Sequence, residues 1–263
     1  MNLDDAYANG AYIDNADDYP SRWQREAAAF RNALSDRVEI DVAYGPTSRQ
    51  VFDFFHPEGI AKGTVIFIHG GYWKAFDKSF FSHFAAGCLA QGWSVAMPSY
   101  DLCPDVRINE ITEELAQAVQ AIAKHTDGPI ALTGHSAGGH LAARMLDPVF
   151  FDDALRARIS AVVPISPVAD LEPLLRTTMN EVLQLDAAEA RAESVTRMPV
   201  PSAVEVTVWV GADERPAFLD QATWLALAWN CAEVVVPGKH HFDVIDGLKD
   251  ADSKLVQTLT KTI

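Results

Sequence analysis

Cysteine is scarce and positive charge is outnumbered in this chain of 263 residues. The three cysteines, Cys88, Cys103 and Cys231, are odd in number, scattered and flanked by apolar residues. That excludes a disulfide framework or a cysteine-based metal cluster and predicts reduced core thiols in a cytoplasmic protein. Lys plus Arg number 21 against 36 Asp plus Glu, a formal net charge of −15. Such a charge repels phosphate backbones and anionic lipid surfaces, so neither nucleic acid nor membrane is an expected partner. No stretch reaches the roughly eighteen consecutive apolar residues of a membrane helix. The opening MNLDDAYANGAYIDNADDYP holds five aspartates and no Lys or Arg, unlike a secretion signal. Repeats, low-complexity tracts and Gly/Ser linkers are also missing, so a single domain over 1–263 is expected, as a monomer or a small oligomer such as a homodimer. What is there, 49% apolar and 22% charged residues, matches an ordinary globular enzyme with a deep core.

Short β-rich runs alternate with helix-length segments. RVEIDVAYG (37–45) and QVFDFFHP (50–57), joined by a Gly-Pro turn, predict an antiparallel hairpin. Six further runs follow, at 64–71, 93–100, 129–136, 160–167, 203–211 and 231–238. Their continuous Val/Ile/Ala character predicts strands buried on both faces. Helices are expected over 78–91, 108–125, 137–146, 215–229 and 250–262. Strand–helix alternation of this kind implies an α/β fold, a mostly parallel sheet with helices on both faces. The interval 168–201 has no strand signal, and an insertion that long predicts a helical lid or pocket segment, or a peripheral excursion.

The densest chemical signal is TGHSAGGH. Gly134-His135-Ser136-Ala137-Gly138 fits the G-x-S-x-G nucleophile elbow, after a buried strand and opening a helix. The serine of such an elbow occupies a strained turn that needs small neighbours, and the helix N-terminus brings backbone N–H groups and a positive dipole end to its oxygen. IHGGYW (68–73) follows the third strand, where an acyl-transfer serine needs donors for a developing oxyanion. The backbone of Gly70–Tyr72 and the Ala137 N–H are the candidates, with His69 bracing the loop. In this chain order an acid must follow the serine and a histidine must follow the acid. The acid is therefore expected in VWVGADERP, at Asp213 with Glu214 as the alternative, and the base at His240 or His241 in GKHHFD. No G-x-G-x-x-G or H-E-x-x-H occurs, so no dinucleotide, other cofactor or metal is expected.

These motifs together resemble the α/β-hydrolase-type arylformamidases (kynurenine formamidases), near the hormone-sensitive-lipase-like esterases. The resemblance rests on HGGYW, GHSAGGHLA, SPVADLEPL and HHFDVIDGL, and on YIDNADDYPSRWQREAAAFR as an opening helix. It implies Ser136 as nucleophile, Asp213 as acid and His241, the histidine before Phe242, as base. It also implies an oxyanion hole from Gly70, Gly71 and Ala137, with Tyr72 and Trp73 bordering the substrate. The implied reaction is hydrolysis of a small-molecule amide or ester through an acyl-enzyme, with N-formylkynurenine-like formyl anilides favoured. A carboxylesterase for short-chain acyl esters shares the mechanism, and a silent binding protein on a hydrolase scaffold would leave all three residues without use.

Overall fold

The computed structural model describes residues 2–201 and 204–261. Positions 203 and 262, where the expected seventh strand begins and the expected last helix ends, lie outside the described residues. One sheet contains β1 (Val38–Ala43), β2 (Val51–Phe55), β3 (Thr64–Ile68), β4 (Ser94–Pro98), β5 (Ile130–His135), β6 (Ile159–Ile165), β7 (Glu205–Gly211) and β8 (Ala232–Val236), in the order β1-β2-β4-β3-β5-β6-β7-β8. β1 and β2 form the expected antiparallel hairpin, β2 runs antiparallel to β4, and the strands from β4 to β8 are parallel.

The apolar runs are explained by the pleat, which sends successive side chains to opposite faces. Ile66 and Ile68 of β3 enter one core while Val65 and Phe67 enter the other, and β6 divides Val162 from Val163 in the same way. Helices cover both faces. α1 (Leu3–Ala6) and α2 (Asp18–Leu34) open the chain, followed by α3 (Ala86–Ala90), α4 (Ile108–His125), α5 (Ala137–Arg144) and α6 (Asp153–Arg158). The chain continues through α7 (Asn180–Leu183), α8 (Ala187–Glu193), α9 (Pro216–Trp229) and α10 (Lys254–Leu259). α4, α5 and α9 contribute to the first core, and α2, α3 and α10 to the second. In α4 the buried Ile108, Ile111, Leu115, Val119 and Ile122 follow helical spacing, which is why the segment is amphipathic.

Two expectations need correction. The helix over 78–91 is split into 3₁₀ turns at Lys78–Phe80 and Ser82–Ala85 before α3, because its start is rich in Ser, Phe and His, all poor helix formers. The interval 168–201 is helical, but none of it lines the cavity beside Ser136. It is locked instead onto α4 and α5: Glu193 accepts from Thr112 Oγ1 (2.7 Å) and from Arg144 Nε (3.1 Å), and its carbonyl pairs with His140 Nε2 (2.8 Å).

Register sets up the site. Ile68 pairs with Gly134, His135 with Ile165, and Gly211 with Val236, so the C-terminal ends of β3, β5, β6, β7 and β8 lie along one edge. In open α/β sheets that edge is where ligands bind.

Candidate active site

Ser136 stands between β5 and α5 with φ 58° and ψ −117°, a conformation rarely adopted by residues other than glycine. Small neighbours make it possible. A Cβ on Gly134 would come within 2.2 Å of the Gly138 carbonyl oxygen, and one on Gly138 within 2.1 Å of the Ile68 oxygen. The Ser136 N–H closes on the Ile165 carbonyl at 2.8 Å, which ties the turn to β6.

The carboxylate that meets the imidazole is Glu214, which corrects the expectation of Asp213. Glu214 Oε2 lies 2.6 Å from His241 Nδ1, and its Oε1 accepts from the Gly211 N–H (2.8 Å) and from Ser166 Oγ (2.5 Å). The reason is the turn after β7. The Asp213 N–H bonds the Lys239 carbonyl at 2.9 Å, extending the β7–β8 pairing, and its side chain is exposed. The next residue folds back, N–H to the Gly211 carbonyl at 3.3 Å, and its buried side chain returns to the sheet edge. Three donors converge on one carboxylate and fix its orientation toward the imidazole.

The two adjacent histidines separate cleanly. His241 is buried between Phe218 and His135, with ring centroids 4.4 and 4.6 Å away. His240 turns toward α2, where its Nε2 meets Tyr19 Oη at 3.1 Å. His135 supplies a support that the motif alone does not reveal. Burial holds its pKa well below the ordinary value, and its neutral ring donates Nε2–H to the His241 carbonyl at 2.8 Å.

The HGG loop lies against the elbow, since a Cβ on Gly70 would come within 3.2 Å of Ser136 Cβ. The N–H groups of Gly70, Gly71 and Ala137 have no acceptor among the described residues. Ala137 opens α5, and first-turn amides have no partner within their own helix. His69 Nδ1 bonds the Gly70 carbonyl at 2.8 Å, and the ring is stacked 4.3 Å from Tyr100. Burial pushes the pKa of His69 down to about 4, so it braces the loop as a neutral ring. Tyr72 borders the cavity and donates its hydroxyl to the Tyr7 carbonyl at 2.8 Å. Trp73 does not border it. Its side chain is 0% exposed and packs edge-on to His140 at 5.1 Å, so the expected pairing of the two rings over the substrate is corrected to Tyr72 alone.

Ser136, His135, His241, Gly70 and Gly71 share one cavity of about 430 Å³. Its far wall is made by Trp23, Phe76, Phe81 and Phe242, together with Tyr7–Gly10 of the N-terminal segment. Sequence reasoning missed that wall and missed Ser166. The only local signals were the position of Ser166 just past β6 and an aromatic residue in the opening helix. Among the described residues no group of three His, Cys, Asp or Glu side chains is arranged to hold a metal ion. A hydroxyl that shares a cavity with a carboxylate-oriented imidazole and free N–H groups can perform acyl transfer.

Known proteins similar to this chain share its fold. A model of the family described as alpha/beta hydrolase fold matches residues 65–226, from β3 to the interior of α9. A kynurenine formamidase of Salmo salar is 29% identical over 275 residues, covering 92% of each chain. A solved structure from Silicibacter sp., provisionally named a thioesterase, superposes with a TM-score of 0.97 at 58% identity over 99% of both chains. An esterase of Pyrobaculum calidifontis superposes with a TM-score of 0.72 at 18% identity over 91% of both chains and so shares the fold.

Proposed function

The chain belongs to the α/β-hydrolase fold family, and we propose that it is a serine hydrolase of aryl formamides, with Ser136 as nucleophile, His241 as base and Glu214 as acid. His241 takes the Ser136 proton as the hydroxyl attacks the formyl carbon, and the oxyanion is held by the N–H groups of Gly70, Gly71 and Ala137. The imidazolium, stabilised by Glu214, then protonates the leaving arylamine. Water attacks the formyl-enzyme, with His241 again as base, and releases formate. The observation that carries the reading is the Glu214–His241 pair, at 2.6 Å, whose imidazole lines the same cavity as Ser136. The aromatic wall of Trp23, Phe76 and Phe242 suits an aryl leaving group, and relatives named kynurenine formamidase, 27–29% identical, support the formyl donor. The 58% identical relative favours a second reading, a thioester or ester as acyl donor.

Steady-state rates on formanilide, acetanilide and phenyl thioacetate separate the two. Formanilide should exceed acetanilide by about 10–200-fold, the discrimination typical of one added methylene. Thioester turnover with inert formanilide would reverse the assignment. Ser136→Ala should lose roughly 10⁶-fold in kcat and escape fluorophosphonate labelling. Labelling at a different serine refutes the nucleophile.

A further inference from the structure

The loop that follows β3 and carries the Gly70 and Gly71 N–H groups holds its backbone in an unfavourable shape. Tyr72, Trp73 and Phe76 have φ of 50°, 56° and 69°, three of the ten positive-φ residues other than glycine among the described residues. Bulky side chains are outliers in that region and persist there only where the surroundings impose it. Gly71 is folded back as well, since a Cβ on it would come within 2.3 Å of the Ala75 carbonyl oxygen. Left to itself such a loop relaxes, and its N–H groups move with it.

The restraint comes from an arginine that does not line the cavity. Arg49 Nη2 donates to the Phe76 carbonyl at 2.6 Å, and its Nε donates to the Tyr100 carbonyl at 2.7 Å. Tyr100 in turn donates its hydroxyl to the His69 carbonyl at 2.9 Å and stacks on the His69 ring. Three residues further on, the Cys103 N–H meets the Trp73 carbonyl at 2.8 Å. One guanidinium therefore ties the far end of the loop to the segment that holds its beginning and its middle. The hairpin delivers it there. Phe52 pairs with Pro98, and the Val51 carbonyl accepts from the Ser99 N–H at 3.0 Å, so the turn between β1 and β2 stands beside the chain leaving β4. Arg49 is half-buried, and both of its bonds among the described residues go to main-chain carbonyls. A charged planar fork strengthens such bonds and reaches two acceptors at once, which a lysine ammonium does not match.

We infer that Arg49 is a positioning residue for the oxyanion hole: it fixes the contorted 70–76 loop so that the Gly70 and Gly71 N–H groups stay aimed at the tetrahedral oxyanion. This role rests on the serine-hydrolase reading above and is the same for a formamide, an ester or a thioester, since each passes through that oxyanion. Donors of this kind act by being in place before the charge develops, and a displacement of about 1 Å costs on the order of 10² in rate. The loop also carries Phe76 on the cavity wall, so KM has to be read apart from kcat.

The test uses the full chain with Arg49→Lys, Arg49→Met and Tyr100→Phe, beside Glu193→Ala as a variant weakened elsewhere. Rates are taken on whichever of formanilide and phenyl thioacetate the wild type turns over. Both Arg49 variants should lose about 10²-fold in kcat, with KM within about threefold of wild type. Tyr100→Phe, which deletes only the hydroxyl on the His69 carbonyl, should lose about tenfold. Inhibition by trifluoroacetophenone, whose carbonyl carbon adds Ser136 Oγ to leave an oxyanion, should weaken by about the same factor as kcat in each variant. Glu193→Ala should keep both values per folded molecule. Wild-type kcat in Arg49→Lys overturns the two-carbonyl clamp. A loss confined to KM, or a fall in kcat with ketone affinity intact, overturns the positioning role. If a fluorophosphonate labels Ser136 equally fast in wild type and the Arg49 variants, the hydrolase reading stands and the role of Arg49 alone fails. If it does not label wild-type Ser136, the hydrolase reading fails and the role falls with it.

Discussion

Residues 7–23 and residues 168–201 are both largely helical and both lie outside the sheet, but only the first borders the cavity beside Ser136. The difference lies in where each segment spends its polar groups. The 168–201 segment turns Glu193 inward against Thr112, Arg144 and His140, and it caps α8 with Asp186 Oδ1 on the Ala188 and Glu189 N–H groups. Residues 7–23 leave Asn9 without a side-chain partner among the described residues and place Tyr7 and Trp23 on the cavity lining. A segment with its buried polar groups satisfied is a brace, and one with polar and aromatic groups left over is a binding surface. The brace also holds the surface, since Thr178 anchors Asp4.

The largest effect that can break this picture lies at the strand-end loops. Glu214→Gln should lower kcat by about 10⁴-fold, as loss of the carboxylate does in other triads, while the exposed Asp213→Asn should retain most of its turnover. Matching losses, or a dead Asp213 variant, would mean that the turn after β7 adopts another register in solution.

Next come paired substitutions in the two segments. Glu193→Ala leaves the buried Arg144 with Asp147 alone and Thr112 Oγ1 without its acceptor, and should reduce stability by about 1–3 kcal/mol, with kcat/KM per folded molecule unchanged. Trp23→Ala, which removes a ring packed on Tyr19, Phe81 and Phe242 at centroid distances of 5.4–5.7 Å, should also lose about 3–5 kcal/mol and in addition raise KM for aryl substrates. Urea titrations alongside steady-state kinetics distinguish them. A KM change in the Glu193 variant would erase the division between brace and surface.

The smallest effect is a pH slope. Burial pushes His140 down to about 3, and His69 and His83 down to about 4, so all three stay neutral in the folded chain where an unfolded histidine, near 6.5, takes up a proton. The stability from these groups is present above about pH 6.5 and is lost as pH falls toward 4, with a slope of up to about 1.4 kcal/mol per pH unit for each. His140→Gln, at the junction of α5 with the 168–201 segment, should make the slope shallower by about one proton. An identical slope would show that His140 is not neutral in the folded chain.

Much of this was legible locally. Eight strands and their hairpin follow from continuous or alternating apolar runs of five to seven residues, because burial on one or two faces is written into the run itself. The elbow was equally local, since a positive φ at Ser136 demands glycines two positions to either side. The helix expected over 78–91 was less legible, because length and apolarity do not separate an α-helix from successive 3₁₀ turns.

Local pattern thus determined the sheet, the order of the loops at its C-terminal edge, and the presence in those loops of a serine, an HGG turn, two acids and two histidines. Tertiary structure alone decided which of the neighbours is used: Glu214 over Asp213, His241 against the carboxylate, Tyr72 at the cavity and Trp73 in the core. It also decided that the wall comes from residues 7–23. The physical reason is distance along the chain. Periodicity and backbone strain act over a few residues, whereas the partners that select a side chain here lie far away, 27 residues for Glu214 and His241 and 174 for Asp4 and Thr178. Such contacts form only when the packed sheet brings the loops together, and no window of sequence contains both halves.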